Sequence, residues 1–128
     1  MNFKVGDYRQ SFTLVTEDMV TSFATISGDK NPIHLDSEYA KTTPFKERIA
    51  HGLLISGFIS ALIANEIPGE GSIYLKQNLE FKSPVKLNDV VTTKVTILSI
   101  EGSKYLLQTE CFVKETLVIQ GNALILKK

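Results

Sequence analysis

The chain of 128 residues has no tryptophan, a single cysteine and no excess of charge of either sign. Cys111, being alone, excludes an intrachain disulfide, and nothing around it in sequence reads as a metal cluster, so no metal is expected. Fourteen basic side chains balance fourteen acidic ones, which leaves no electrostatic footprint for nucleic acid or a membrane surface. Long hydrophobic runs are also missing. The most apolar stretch, 52–64, has thirteen residues and includes Ser56 and Ser60, whereas a membrane-spanning helix needs about 20. The opening Met-Asn-Phe-Lys-Val-Gly-Asp lacks the apolar core of a signal peptide. A cytoplasmic location is expected.

Hydrophobic content of 43% with 22% charged residues is ordinary for a globular protein, and the length suits one domain over 1–128. No repeat or low-complexity linker suggests another. Residues 11–15 read as a short strand in which Phe12 and Leu14 alternate with polar neighbours. Thr16 then offers an N-cap with Glu17 and Asp18 at the positive end of the dipole, and Met19, Val20, Phe23 and Ile26 form one helical face. Asp36 caps a single turn through Ala40, and 42–48 reads as loop around Pro44. A helix starts near His51-Gly52 and stops before Pro68-Gly69, and its stretch 52–64 is apolar on nearly every side, which places it inside a core. Beyond Gly71 the period becomes two. Segments 73–81, 90–100, 105–113 and 117–126 are rich in β-branched and aromatic residues, with turn chemistry such as Asn88-Asp89 and Glu101-Gly102-Ser103 between strands. One apolar helix followed by a long antiparallel meander predicts an α+β fold with the sheet curled around the helix. Such a sheet has edges that must be covered or paired.

Chemistry concentrates in Phe-Ala-Thr-Ile-Ser-Gly-Asp-Lys-Asn-Pro-Ile-His-Leu-Asp-Ser-Glu-Tyr-Ala, from Phe23 to Ala40. Ser27-Gly28 ends a helix without a Cβ penalty, and Pro32 drives Asn31 toward extended geometry. An acid at Asp29 and an imidazole at His34 thus sit on one stiffened loop, where they can share a water as a general acid-base pair. The structural alternatives are an Asx turn at Asp29 and a satisfied, partly buried histidine at His34.

This segment resembles the signature of the MaoC-like R-specific enoyl-CoA hydratases: an aromatic, a spacer, an aliphatic, a small residue, Gly-Asp-x-Asn-Pro-aliphatic-His, and a small residue six positions on. The likeness continues through Ala50-His51-Gly52, the apolar run and Pro68 to Tyr74, covering about the first two thirds of the chain. The resemblance implies a hotdog fold, a homodimer, an acyl-CoA thioester as substrate, and no cofactor beyond the coenzyme A of the substrate itself. It implies Asp29 and His34 as the catalytic pair, with Asp29 drawing a proton from water and His34 supplying one to the α-carbon. It places an oxyanion-stabilising backbone N–H at Gly52, counts Asn31 and Gly52 as substrate-binding, and assigns Ser60 to holding the catalytic water. Ser56, one turn earlier, rivals Ser60. With the full signature present, the catalytic readings of Asp29 and His34 outweigh the structural ones.

The remaining reactive side chains have plainer readings. His51 reads as a structural residue at the helix entrance, and Cys111 as packing within a strand. The implied reaction is reversible syn hydration of a trans-2-enoyl-CoA to the (R)-3-hydroxyacyl-CoA. One alternative is a 3-hydroxyacyl-[acyl-carrier-protein] dehydratase, which needs a basic rim for its acidic carrier; Lys41, Lys46 and Arg48 form a candidate rim, diluted by Glu47. A second alternative is a non-catalytic acyl-CoA-binding module, which has no use for a paired acid and imidazole. Thioesterases share the fold but not the signature.

Overall fold

The computed structural model describes residues 2–128. Strand β1 (Tyr8–Leu14) leads into helix α1 (Glu17–Ser27), two short helices α2 (Pro32–Leu35) and α3 (Ser37–Lys41), and the long helix α4 (Gly52–Asn65). Strands β2 (Ile73–Gln77), β3 (Glu80–Phe81), β4 (Val90–Glu101), β5 (Lys104–Val113) and β6 (Thr116–Leu126) follow. They form one antiparallel sheet in the order β1-β4-β5-β6-β2, with β3 also paired to β6. This is the α+β arrangement expected, a sheet wrapped around an apolar helix.

Local signals account for the helix boundaries. Thr16 accepts from Met19 N and caps α1, and Asp36 Oδ1 accepts from Glu38 N and Tyr39 N to cap α3. The meander differs from its sequence pattern in one place. The segment 73–81 is not one strand: its pairing with β6 shifts between Tyr74 and Lys76, then breaks where Asn78 Oδ1 accepts from Asn122 N, 3.1 Å away. A side-chain acceptor has there replaced a ladder partner.

Helix α4 buries Ile55, Ile59, Leu62 and Ile63 against the sheet, each such side chain contributing roughly 1.5–3 kcal/mol of transfer free energy. It is not enclosed on every side. Leu53 is 62% exposed, and Gly57, Ser60, Ala61 and Ala64 are exposed on the same stripe. A sheet that wraps a helix reaches only one flank of it, so an apolar circumference in sequence does not ensure complete burial within one chain. Two other apolar assignments also face outward. Ile26 is 85% exposed, α1 instead burying Val20 and Ala24. Phe12 and Leu14 are on the outer face of β1 while Ser11 and Thr13 turn toward α4. No helix among the described residues is long and apolar enough to cross a membrane.

Candidate active site

Helix α1 stops at Gly28, whose φ of 81° is left-handed and whose N–H donates to Ala24 O. Ser27 Oγ donates to Phe23 O and accepts from Asp29 N at 3.1 Å. Asp29 Oδ1 accepts from Asn31 N at 3.2 Å, so the Asx turn exists and still leaves the other carboxylate oxygen free of that bond. Asn31 then caps α2 by accepting from Ile33 N, with Pro32 at the first helical position. These short-range bonds hold the bridge from Asp29 to His34.

His34 is buried and clipped to the segment before α4. Its Nδ1 lies 2.7 Å from Ile49 O. A carbonyl only accepts, so Nδ1 carries the hydrogen and Nε2 of the neutral ring keeps a lone pair. Arg48 Nε donates to His34 O at 2.8 Å, and Ile49 N donates to Ile33 O. Burial pulls the imidazole pKa below its ordinary 6.5; the Ile49 bond and Asp29 oppose this, and His51 adds to it. The ring therefore rests unprotonated at Nε2 near neutral pH.

The first turn of α4 meets this loop. N-cap His51 makes no side-chain capping bond to its helix, and first-turn N–H groups lack intrahelical acceptors at the positive end of the dipole. Gly52 and Leu53 line a cavity of about 220 Å³ together with Asp29, His34, His51 and Phe81. A larger, mostly apolar cavity of about 350 Å³ opens alongside and shares His34, Gly52 and Phe81 with it, while Phe45, Ile55 and Val85 supply apolar wall. A Cβ built on Gly52 would stand 2.6 Å from the Phe81 ring, so this glycine gives the close approach of ring to helix. Sequence reasoning missed Phe81: in a strand pattern nothing distinguishes an aromatic over a helix terminus from any other.

Asp29, His34 and Gly52 are thus brought together; Asn31 and Ser60 are not. Asn31 spends its amide oxygen on the α2 cap and lines neither cavity. Ser60 lies eight residues past Gly52, about 12 Å along the helix axis at ~1.5 Å per residue, with its side chain exposed and away from both cavities. Periodicity gave its helix but not the face it occupies in a single chain. Ser56 Oγ donates to Leu53 O at 2.7 Å, a back-bond within the helix.

One nitrogen or carboxylate oxygen from each of Asp29, His34 and His51 lies within 4.8 Å of the other two. The trio is nonetheless committed elsewhere, since His51 Nε2 meets Asp29 O and His34 Nδ1 meets Ile49 O. Two ring nitrogens bound to carbonyls suit orientation of a base better than ligation.

Residues 6–121 match the model of the MaoC like domain. The chain belongs to the MaoC-like domain family. The MaoC-like chain is 40% identical over 127 residues to the (R)-specific enoyl-CoA hydratase of Rhodospirillum rubrum, covering 98% of itself and 88% of that protein. It is 41% identical over 113 residues to the 3-hydroxybutyryl-CoA dehydratase of Methylorubrum extorquens, covering 87% and 72% respectively. Its fold superposes with a TM-score of 0.95 on the (R)-hydratase from A. caviae involved in PHA biosynthesis, at 35% identity and 98% coverage of both chains. The hotdog architecture expected from the signature is the one observed.

Proposed function

We propose that this MaoC-like protein is an R-specific enoyl-CoA hydratase, a hydro-lyase that adds water to trans-2-enoyl-CoA with syn geometry. The observation that carries the reading is the meeting of Asp29, neutral His34 and the α4 N-terminus at Gly52 around one small cavity beside a larger apolar one. The apolar cavity suits an acyl chain, and the names of the relatives at about 40% identity support the thioester.

The state of His34 refines the proton assignment. Its Nε2 enters the cycle without a proton, so in the hydration direction it takes one before it gives one. Water oxygen bonds the β-carbon as Nε2 accepts the water proton, and the alkene pair moves toward the thioester oxygen. The Gly52 N–H meets that developing charge. The proton then passes from Nε2 to the α-carbon, which restores the neutral ring, while Asp29 accepts a hydrogen bond from the other water hydrogen, which stays on the new hydroxyl, and fixes its position. One group serving both transfers puts both new bonds on one face. Nothing in this scheme calls for a metal or redox cofactor.

We further read the active unit as a cytoplasmic homodimer. The uncharged stripe Leu53, Gly57, Ser60, Ala61 and Ala64, and the half-exposed Ile73, Tyr74 and Leu75 on edge strand β2, are surfaces a second copy would cover. Ser60 would then face the partner, where its role in holding water is to be sought. The carrier-protein alternative is weakened because two of the three basic rim residues are already paired: Lys41 with Glu38 at 3.2 Å, and Arg48 with Glu17 at 2.9 Å. Turnover of the same acyl group on coenzyme A and on acyl carrier protein tests the reading. Faster turnover on coenzyme A is expected, and a preference for the protein carrier would move the assignment to the dehydratase.

A further inference from the structure

The sequence marks His51 only as a residue at a helix entrance, but the structure ties it to both members of the reacting pair. It is 2% exposed. Its Nε2 stands 3.0 Å from Asp29 O, and its ring stacks on His34 with centroids 3.9 Å apart and planes inclined by 29°. The Phe23 ring from α1 closes another side at 4.8 Å. Because Asp29 O accepts, Nε2 must hold the hydrogen, which leaves the lone pair on Nδ1. That nitrogen is buried and has no hydrogen-bond partner, a costly arrangement that an apolar residue would avoid if the position needed only filling.

We propose that His51 is a positioning residue for the hydration reaction, holding the Asp29 backbone by its Nε2–H and the His34 ring by stacking. The proposal rests on the functional reading above and deepens it. Asp29 leaves α1 with its carbonyl pointing to His51, so the donor fixes where the carboxylate begins. His34 is then gripped from two sides, by Ile49 O at Nδ1 and by the His51 face. The titratable and charged groups around the stack are Asp29 and His34 themselves, the Arg48 guanidinium bonded to His34 O, Glu17 paired with Arg48, and Lys82 in the adjoining cavity. The His51 ring at this distance disfavours a proton on His34, so its removal should raise the His34 titration.

Two amides separate positioning from mere filling. The Gln side-chain nitrogen reaches where imidazole Nε2 lies, and the Asn nitrogen stops where Nδ1 lies. We expect His51→Gln to keep kcat for crotonyl-CoA within about threefold of wild type. His51→Asn should lose ~10- to 100-fold in kcat with little change in KM, the scale of a displacement near 1 Å at a reacting group. Melting temperatures would confirm that both variants fold. The His34 Cε1–H resonance, followed by NMR without substrate, should titrate at higher pH in both. Equal kcat in the two variants, or a His34 midpoint unmoved in either, would overturn the proposal. A wild-type protein that failed to hydrate crotonyl-CoA would instead defeat the functional reading, and the NMR titration would still decide whether His51 acts on His34.

Discussion

Asp29 lies on the turn after α1 and His34 on the short helix α2, a segment held by local bonds, so chemistry and folding can be separated there. Asp29→Asn and His34→Asn, the second of which keeps an N–H near Ile49 O, are expected to leave the melting temperature close to wild type and to reduce kcat by ~10²- to 10⁴-fold, the usual worth of a general acid or base. Because both side chains act on one water, the double variant should be little slower than the poorer single one. The lowered His34 pKa sets the pH dependence. The free enzyme needs Nε2 unprotonated, so kcat/KM should be level near pH 7 and fall on acidification with a midpoint below 6.5. Stability has the same sign. Between 6.5 and the lower folded value the unfolded chain binds more protons, so the contribution is present above 6.5 and lost as pH falls through the folded pKa. Chemical denaturation at a series of pH values measures it.

At the scale of elements, α4 joins core to site. Ile59 is buried against the sheet, and Ile59→Ala should cost about 2–5 kcal/mol in urea unfolding. Gly52→Ala is a different change. The added methyl meets an aromatic ring that is 53% exposed and free to swing outward, so we expect a small loss of stability and a rate loss of roughly tenfold or more as Phe81 and the first turn shift. Cys111 on β5 is fully buried, and burial drives its thiol up to about 11 despite a contact with Thr93 Oγ1. Iodoacetamide at pH 8 should therefore leave it unmodified until the protein unfolds. These elements also show what was legible in the sequence. Caps at Thr16 and Asp36, the stop at Gly28 and the start at Gly52 are local chemistry, readable from neighbours in the chain. The outward turn of Phe12 and Ile26, the break at Asn78 and the exposure of Ser60 depend on which surfaces the sheet reaches, information held by contacts distant in sequence. Asp29 and His34 were legible because five positions separate them. The bonds from His34 to Ile49 and from His51 to Asp29 bridge fifteen and twenty-two positions, and no periodicity announces them.

For the whole molecule, one chain leaves an uncharged helical stripe and a half-exposed apolar edge strand to water, and the proposed homodimer should appear in analytical ultracentrifugation at twice the mass of one chain. Covering those surfaces in the proposed homodimer would complete the enclosure of α4 that the sheet begins. The central claim is that the loop from Asp29 to His34 delivers water and proton to one face of a trans-2-enoyl-CoA. Its most direct test follows the hydration of crotonyl-CoA by the loss of enoyl absorbance, then offers the product to an S-specific 3-hydroxyacyl-CoA dehydrogenase with NAD. The account predicts rapid loss of absorbance and no NADH, because the product is the R alcohol; absence of hydration, or a product the dehydrogenase oxidises, would contradict it.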